Sequence, residues 1–212
     1  MSPITLLDYG MGNLHSVAKA LEKVGAQVVV TREPEEVRRA DKLVVPGVGH
    51  FGACMTELNR LHLTEAIVEF LESGRPYLGI CLGLQILFEM SEESPATPGL
   101  GFLKGEVVRF KGTKGASPKG ASPKVPHMGW NQVLPQRSGT LLDDLPKNPF
   151  FYFVHSYHVV PQDSSLVAAV TEYPTSFVSA VSRENLFACQ FHPEKSQQNG
   201  LRLFGRFVTI SP

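Results

Sequence analysis

The sequence predicts an α/β fold built around a mostly parallel sheet. Over the first ninety residues, short β-branched runs typical of buried strands alternate with amphipathic, helix-like segments. Such alternation is typical of parallel strands joined by helices that cover both faces of the sheet. Beyond residue 100, short strand-like runs follow one another across polar turns, which indicates antiparallel strands added to the same sheet. No linker-like segment interrupts the chain, so we expect one domain over residues 1–212.

The first predicted helix illustrates how the elements are assigned. Leu14, Val17 and Leu21 recur at helical spacing, and Gly25 follows as a helix-ending residue. The other expected helices are 66–71, 82–90 and 200–208. The expected strands are 4–7, 27–30, 43–45, 77–80, 107–110, 130–134, 150–154, 157–160, 166–170, 177–181 and 186–190.

Composition and charge argue against several classes of protein. Lys+Arg and Asp+Glu are both 20, so nothing drives the chain as a whole toward nucleic acid or an anionic membrane. The three cysteines are widely spaced and form no CxxC pair, so we expect neither a disulfide framework nor a metal site, and no cofactor. The longest uncharged apolar stretch, 77–88, is too short to cross a bilayer, and no signal-peptide pattern precedes it. We therefore expect a cytoplasmic protein that does not bind membranes.

The strongest functional motif is Gly79-Ile80-Cys81-Leu82-Gly83, which lies between a predicted strand and a predicted helix. It matches the GxSxG nucleophile elbow with cysteine in place of serine. The glycines allow a sharp turn that exposes Cys81, and the following helix directs backbone N–H groups, including that of Leu82, at the reacting atoms. A buried packing cysteine is the alternative, and we assign that role to Cys54 and Cys189, which lack this frame.

A nucleophilic cysteine needs a base, and Phe191-His192-Pro193-Glu194 offers one. In an extended backbone, His192 and Glu194 point to the same side, so the carboxylate can hold the imidazole tautomer. A lone His-x-Glu pair is more often a polar surface feature than a catalytic one. Its combination with an elbow cysteine favours catalysis.

The segment Pro46-Gly47-Val48-Gly49 follows the third predicted strand at its carboxyl end, where open parallel sheets bind their ligands. Gly47 and Gly49 permit peptide orientations that other residues resist, so the loop around Val48 is a candidate for a second oxyanion N–H. A tight loop with no ligand is the alternative, and glycine alone does not decide between them.

Two further segments carry open interpretations. Residues 126–130 combine a methionine and the single tryptophan, which fits either an interface or the core. The sequence GASPK occurs twice over 115–124, a composition typical of a solvated surface loop. Because residues 107–142 contain six basic and no acidic side chains, a basic face that attracts an acidic partner is the alternative.

Together, the cysteine elbow and the later His-Pro-Glu resemble the class I, or triad, glutamine amidotransferases. Further blocks narrow the resemblance to the glutaminase subunits of imidazole glycerol phosphate synthase, which act in histidine biosynthesis. These blocks are 8–14, 46–52, 126–131, 155–157 and 192–196. They span nearly the whole chain in the expected order, whereas the duplicated GASPK stretch is not an element of that family.

The resemblance implies a flavodoxin-like three-layer domain that forms a heterodimer with a (β/α)8-barrel cyclase. The glutaminase releases ammonia from L-glutamine, and the cyclase uses it to make imidazole glycerol phosphate and the aminoimidazole carboxamide ribonucleotide. The implied triad is Cys81, His192 and Glu194, with the oxyanion held at Val48 and Leu82. The implied glutamine contacts are Gly47, Gly49, Gln85, Ser156 and Tyr157. The face expected to meet the cyclase is formed by His127, Met128, Trp130 and Lys195.

Two other functions fit parts of the pattern. A partner-independent cysteine hydrolase can use a similar elbow, but it usually takes its histidine from elsewhere than a distant His-Pro-Glu. The glutaminase of pyridoxal phosphate synthase also serves a barrel partner, but its oxyanion loop is of the Gly-Gly-Glu-Ser type, unlike residues 46–49 here.

Overall fold

A computed structural model describes residues 2–110 and 124–211. Within these ranges the chain forms six α-helices and thirteen strands, eleven of them in one sheet. The helices are α1 (Leu14–Lys23), α2 (Pro34–Arg39), α3 (Phe51–Arg60), α4 (Leu63–Glu72), α5 (Leu82–Gln85) and α6 (Gln197–Thr209). The strands are β1 (Ile4–Leu7), β2 (Val28–Thr31), β3 (Lys42–Gly47), β4 (Tyr77–Cys81), β5 (Met90–Ser91), β6 (Gly105–Arg109), β7 (His127–Gln132), β8 (Leu134–Pro135), β9 (Phe150–His155), β10 (Tyr157–Pro161), β11 (Val167–Glu172), β12 (Ser176–Arg183) and β13 (Leu186–Cys189).

The large sheet is parallel at its centre and antiparallel beyond it. Strands β2, β1, β3, β4 and β13 lie side by side and run parallel. Strands β12, β10 and β6 continue the sheet in antiparallel pairs. Because β13 pairs with β4, it brings a late segment of the chain beside the strand that ends at Cys81. The predicted α/β class, with antiparallel strands added to a mostly parallel sheet, is confirmed.

Helices cover both faces of the parallel strands, which gives three layers. Alternate residues of β1 separate the two cores: Ile4 and Leu6 pack with residues of α1 and α6, whereas Leu7 packs with residues of α2, α3 and α4. All three of these β1 side chains are almost wholly buried. Strands buried on both faces explain why the first part of the sequence contains continuous apolar runs.

The helix expected over 82–90 is wrong in extent, because α5 ends at Gln85. The reason lies in the carbonyl groups that follow: those of Ile86, Leu87 and Phe88 accept N–H bonds from residues 100, 103 and 101 instead of from the next helical turn. The chain then leaves the helix and forms the short strand β5. Apolar periodicity alone does not reveal this competition.

The sequence pattern also missed two helices and misplaced one pair of strands. Helix α2 begins with Pro34 and carries acidic residues in its first turn and basic residues in its last, which are recognisable helix signals. Helix α3 carries buried apolar residues at helical spacing. Strands β7 and β9 form a separate two-stranded sheet, where a place in the main sheet was expected.

Two expectations from the sequence concern membrane spans and the duplicated GASPK segment. Across residues 2–110 and 124–211, no helix is both long and apolar enough to span a bilayer. The GASPK duplication lies outside the described residues, apart from its last residue, Lys124.

Candidate active site

Cys81 occupies a strained elbow between β4 and α5. Its backbone has φ 56° and ψ −104°, a conformation that a non-glycine residue adopts only where its surroundings enforce it. Both glycines of the motif are required by close packing, because a Cβ at Gly79 would lie 2.4 Å from the Gly83 carbonyl oxygen and one at Gly83 would lie 1.9 Å from the Val45 carbonyl oxygen. The thiol itself is buried, with only 6% of the residue exposed, whereas the sequence predicted an exposed sulfur.

His192 and Glu194 form a buried pair beside this elbow. The imidazole Nδ1 lies 2.9 Å from Glu194 Oε1, and the two side chains are only 1% and 2% exposed. The pair meets across a 3₁₀ turn, Pro193–Lys195, and not in the extended backbone expected from the sequence. Ser196 fixes this turn, since its hydroxyl donates to the His192 carbonyl and accepts from the Tyr152 N–H.

The electrostatics of His192 favour its charged form. Burial of the imidazole acts to lower the pKa of His192, but the adjacent Cys81 sulfur and Glu194 carboxylate outweigh it, so the pKa is raised above its usual range. Its other ring nitrogen, Nε2, has no hydrogen-bond partner among the described residues. An imidazole held at one nitrogen and unpaired at the other is suited to exchanging a proton with a reacting group.

A cavity of about 230 Å³ opens above Cys81. Seven of the residues singled out from the sequence line it: Val48, Gly49, Cys81, Leu82, Gln85, Ser156 and Tyr157. The remaining lining residues are Glu93, Pro126, Val154 and His155. The structure therefore brings segments around residues 48, 81 and 156 together at one edge of the sheet, as ligand sites of parallel sheets require.

Gly47 does not line the cavity. A Cβ at Gly47 would lie 2.3 Å from the Tyr9 hydroxyl and 2.6 Å from Leu82 Cβ, so only glycine fits there. The Tyr9 hydroxyl in turn donates to the Pro46 carbonyl at 2.8 Å and ties the strand end in place. The close packing of Gly47 therefore fixes the end of β3, from which the Val48 loop leaves.

Glu93 is a lining residue that the sequence gave no reason to select. Its carboxylate accepts a 2.7 Å hydrogen bond from the Phe51 N–H at the start of α3. This bond fixes the position of the carboxyl group at the wall of the cavity. A motif search misses it because no catalytic motif surrounds it, and other lining residues such as Val48 and Tyr157 belong to distant segments of the chain.

Gln190 was also missed. It is wholly buried, and its side-chain amide donates to Cys81 Sγ at 3.5 Å while accepting from Gln85 Nε2 at 3.0 Å. The sequence holds no local sign of this contact, because 109 residues separate Gln190 from Cys81.

His127 was expected at an exposed interface, and the structure corrects this. Its ring is buried, stacked on Tyr173 and Phe153, and bonded at 2.9 Å to His155. Side chains alternate along β7, so Met128 and Trp130 point outward on the face opposite to His127. Within residues 2–110 and 124–211, no group of three or more His, Cys, Asp or Glu side chains is arranged to hold a metal ion.

The exposed residues of β7 form one surface with Tyr152 and Lys195. Trp130 is 47% exposed and Met128 62% exposed. The Trp130 ring meets the Tyr152 ring edge-on at 6.3 Å, and the Lys195 ammonium lies 5.7 Å from the centre of the same ring. Lys195 directly follows Glu194 in the turn Pro193–Lys195, so this exposed face adjoins the turn that carries the His192–Glu194 pair.

Comparisons with known proteins find relatives that match nearly the whole chain. A protein from Nitrosococcus oceani named "Imidazole glycerol phosphate synthase subunit HisH" is 52% identical over 99% of this chain and 98% of its own length. A protein of the same name from Aromatoleum aromaticum is 50% identical over the full length of both. A solved structure described as a glutamine amidotransferase superposes with a TM-score of 0.72 at 18% identity, covering 98% of this chain and 99% of the other.

A second solved structure, PurLQS from Thermotoga maritima, gives the same TM-score of 0.72 and 18% identity over 98% of both chains, which supports the fold alone. The family model "Glutamine amidotransferase class-I" matches residues 5–209. That match includes the cysteine elbow, the buried His–Glu pair and every strand of the central parallel sheet except the first residue of β1. The chain belongs to the class-I glutamine amidotransferases.

Proposed function

We propose that the chain is the glutaminase subunit of imidazole glycerol phosphate synthase. It hydrolyses L-glutamine to glutamate and ammonia and passes the ammonia to a cyclase subunit. The observation that carries the chemistry is the strained Cys81 elbow, which lies beside the buried His192–Glu194 pair at the floor of a cavity. The names of relatives about 50% identical over nearly the whole chain support the choice of pathway.

The first chemical step is attack of the Cys81 thiolate on the carboxamide carbon of glutamine. The negative charge that develops on the amide oxygen is stabilised by the Leu82 N–H and by an N–H of the Val48 loop. Each oxyanion donor of this kind contributes about 3–4 kcal/mol to transition-state stabilisation. His192 then protonates the leaving nitrogen, ammonia departs, and a γ-glutamyl thioester remains on Cys81.

The second step is hydrolysis of the thioester. His192 removes a proton from a water molecule, the hydroxide attacks the thioester carbon, and glutamate leaves as the Cys81 thiolate is restored. Glu194 orients the imidazole through the 2.9 Å contact at Nδ1 and stabilises the imidazolium that forms in both steps.

The cavity provides groups for the amino-acid end of glutamine. The Glu93 carboxylate lies in the wall and is complementary to the α-ammonium group of the substrate. Gln85, Ser156 and Tyr157 supply polar contacts, and Gly49 lets the substrate approach the backbone. Gly47 acts indirectly by fixing the loop that carries Val48.

The partner in this proposal is a (β/α)8-barrel cyclase that forms a heterodimer with the chain. Its docking face includes Met128, Trp130 and Lys195, since methionine and aromatic residues are enriched at interface centres. His127 is not part of this face because its ring is buried. The cyclase products are imidazole glycerol phosphate and the aminoimidazole carboxamide ribonucleotide. We also propose that residues 1–212 form a single amidotransferase domain and that the protein is cytoplasmic.

The test replaces Cys81 with alanine in the assembled complex. Glutamate release should fall below detection, whereas imidazole glycerol phosphate should still form from added ammonium salt, because the cyclase step does not use the thiol. Cys54→Ala is the matched control, since Cys54 is a buried cysteine of α3 with no place in the cavity. Glutamine-dependent turnover near that of the control would remove Cys81 from the mechanism.

A further inference from the structure

The buried amide of Gln190 belongs to a continuous hydrogen-bonded chain that ends at the nucleophile. The Gln85 amide donates to the Tyr157 carbonyl at 3.3 Å and to Gln190 Oε1 at 3.0 Å. The Gln190 amide donates to Cys81 Sγ at 3.5 Å. Gln190 itself is 0% exposed and Gln85 is 4% exposed, so water does not compete for most of these contacts.

The donor-to-acceptor direction of this series of hydrogen bonds is fixed by the backbone carbonyl of Tyr157. A carbonyl oxygen only accepts, so the end of Gln85 that faces Tyr157 must be its NH₂ group. The same NH₂ group faces Gln190, which must therefore present its oxygen to Gln85 and its own NH₂ group to Cys81. The network therefore requires that the NH₂ group of Gln190, and not its oxygen, faces the Cys81 sulfur.

The main chain of Gln190 is held as firmly as its side chain. Strand β13 pairs in parallel with β4, with Cys189 opposite Ile80, so Gln190 continues this register beside Cys81. The Gln190 N–H donates to the Ser179 carbonyl of β12 at 2.9 Å. The amide therefore reaches the sulfur from a backbone position that is fixed at the end of the neighbouring strand.

We propose that Gln190 is a positioning residue that holds the Cys81 sulfur toward the substrate cavity by donating an N–H to it. A negatively charged thiolate accepts such a bond more strongly than a neutral thiol, because hydrogen bonds to charged groups are stronger. The donor, Gln190, directly follows the last residue of β13, and His192 lies two residues further along the chain. Together they define the position of the sulfur in its strained turn.

The test measures how fast iodoacetamide alkylates Cys81 in the full-length chain, from pH 5 to pH 9. Gln190→Met keeps a similar length but has no N–H donor, and Gln190→Glu keeps the shape but presents only acceptor oxygens once it is ionised. We expect the rate at pH 7 to fall about 10-fold in the first variant and further in the second. The midpoint of the pH–rate profile should move to higher pH in both.

The Cys81 sulfur raises the pKa of His192, Tyr9, Cys54 and Cys189, and the titratable groups Glu93, His155 and Tyr157 line the same cavity. None of these side chains is altered in the variants. Ser179→Ala is the matched control: it removes a buried hydroxyl beside Gln190 that has no partner among the described residues and does not contact the sulfur. In the complex with the cyclase subunit, Gln190→Met should lower kcat about 10-fold. The KM for glutamine should change much less.

Alkylation rates and profiles that match those of Ser179→Ala would overturn the proposal, even if turnover falls, because the amide would then only support the fold. A measurement on the unaltered chain covers the case in which a variant does not fold. The ¹⁵N-labelled side-chain NH₂ resonance of Gln190 should shift when Cys81 is alkylated, and an unmoved resonance would also overturn it. The turnover readout rests on the proposed glutaminase function, but alkylation needs no glutamine, so the two failures are distinguishable.

Discussion

The substitution Glu194→Gln removes the negative charge of the carboxylate but keeps the shape of the side chain. In the structure, Glu194 Oε1 lies 2.9 Å from His192 Nδ1, and its other oxygen is buried with no hydrogen-bond partner among the described residues. Glutamine retains an oxygen that can accept from the imidazole, so the ring keeps its place. What disappears is the negative charge that stabilises the imidazolium and helps to raise the pKa of His192.

The size of the effect follows from the distance and the burial. Both side chains are 2% exposed or less, so solvent screens their interaction weakly. Two unit charges with centres about 4 Å apart at an effective dielectric constant of 20 interact by about 4 kcal/mol, equivalent to roughly 1,000-fold in rate. We therefore expect kcat/KM for glutamine to fall about 1,000-fold, with Tm changed by only a few degrees because no side-chain volume is lost.

The assay is steady-state glutamate release by the complex in the presence of the cyclase substrate. Ammonium-dependent product formation should be unchanged, which would show that the complex is assembled. Glu36→Gln, an exposed acid in the first turn of α2, is the matched control and should lie within twofold of the unaltered enzyme. A loss of less than tenfold in Glu194→Gln, with Tm preserved, would refute the electrostatic role of this carboxylate.

Three further predictions concern binding and stability. Trp130→Ala should weaken binding of the cyclase subunit by about 2 kcal/mol in calorimetric titration, whereas Val30→Ala, exposed on an outer strand, should leave the affinity unchanged. Gly83→Ala should lower the free energy of unfolding by more than about 3 kcal/mol, because its Cβ meets a backbone carbonyl, whereas Gly205→Ala in α6 should raise it by up to about 1 kcal/mol. A fall at Gly205, or none at Gly83, in denaturant titration would contradict this. Burial lowers the pKa of His155 to about 3, so the unfolded chain binds its proton first as the pH drops below about 6.5. The resulting loss of stability, about 1.4 kcal/mol per pH unit, should be absent in His155→Asn.

The sequence predicts the strands of the parallel half well because each of these strands is specified locally. The strand ending at Cys81 contains no charged residue and is buried throughout, and α1 has a regular apolar stripe. The helix after Cys81 was overextended because its end is decided by hydrogen bonds from residues 99–103, which no pattern within 82–90 reveals. Long-range competition of this kind lies beyond periodicity.

The residues of the candidate site differ in the same way, because some belong to local sequence motifs and others matter only through long-range contacts. Cys81, His192 and Glu194 are recognisable because each belongs to a motif with its own chemical logic. Gln190 and Glu93 are not, because their significance arises only from what the folded sheet places next to them. His127 shows the remaining limit: residue type suggested an interface, but the alternation of β7 turns its ring into the core.

The position of β13 in the sheet has a consequence for how the enzyme is made. Gln190 and Cys81 are neighbours in space but 109 residues apart in the chain, so translation at about 5–20 residues per second separates their synthesis by roughly 5–20 s. During that interval the cysteine elbow has been synthesised while its amide donor and its imidazole have not. A nascent chain therefore carries its nucleophile without the groups that activate it, and ammonia release cannot begin on the ribosome until the strand beside Cys81 has been inserted.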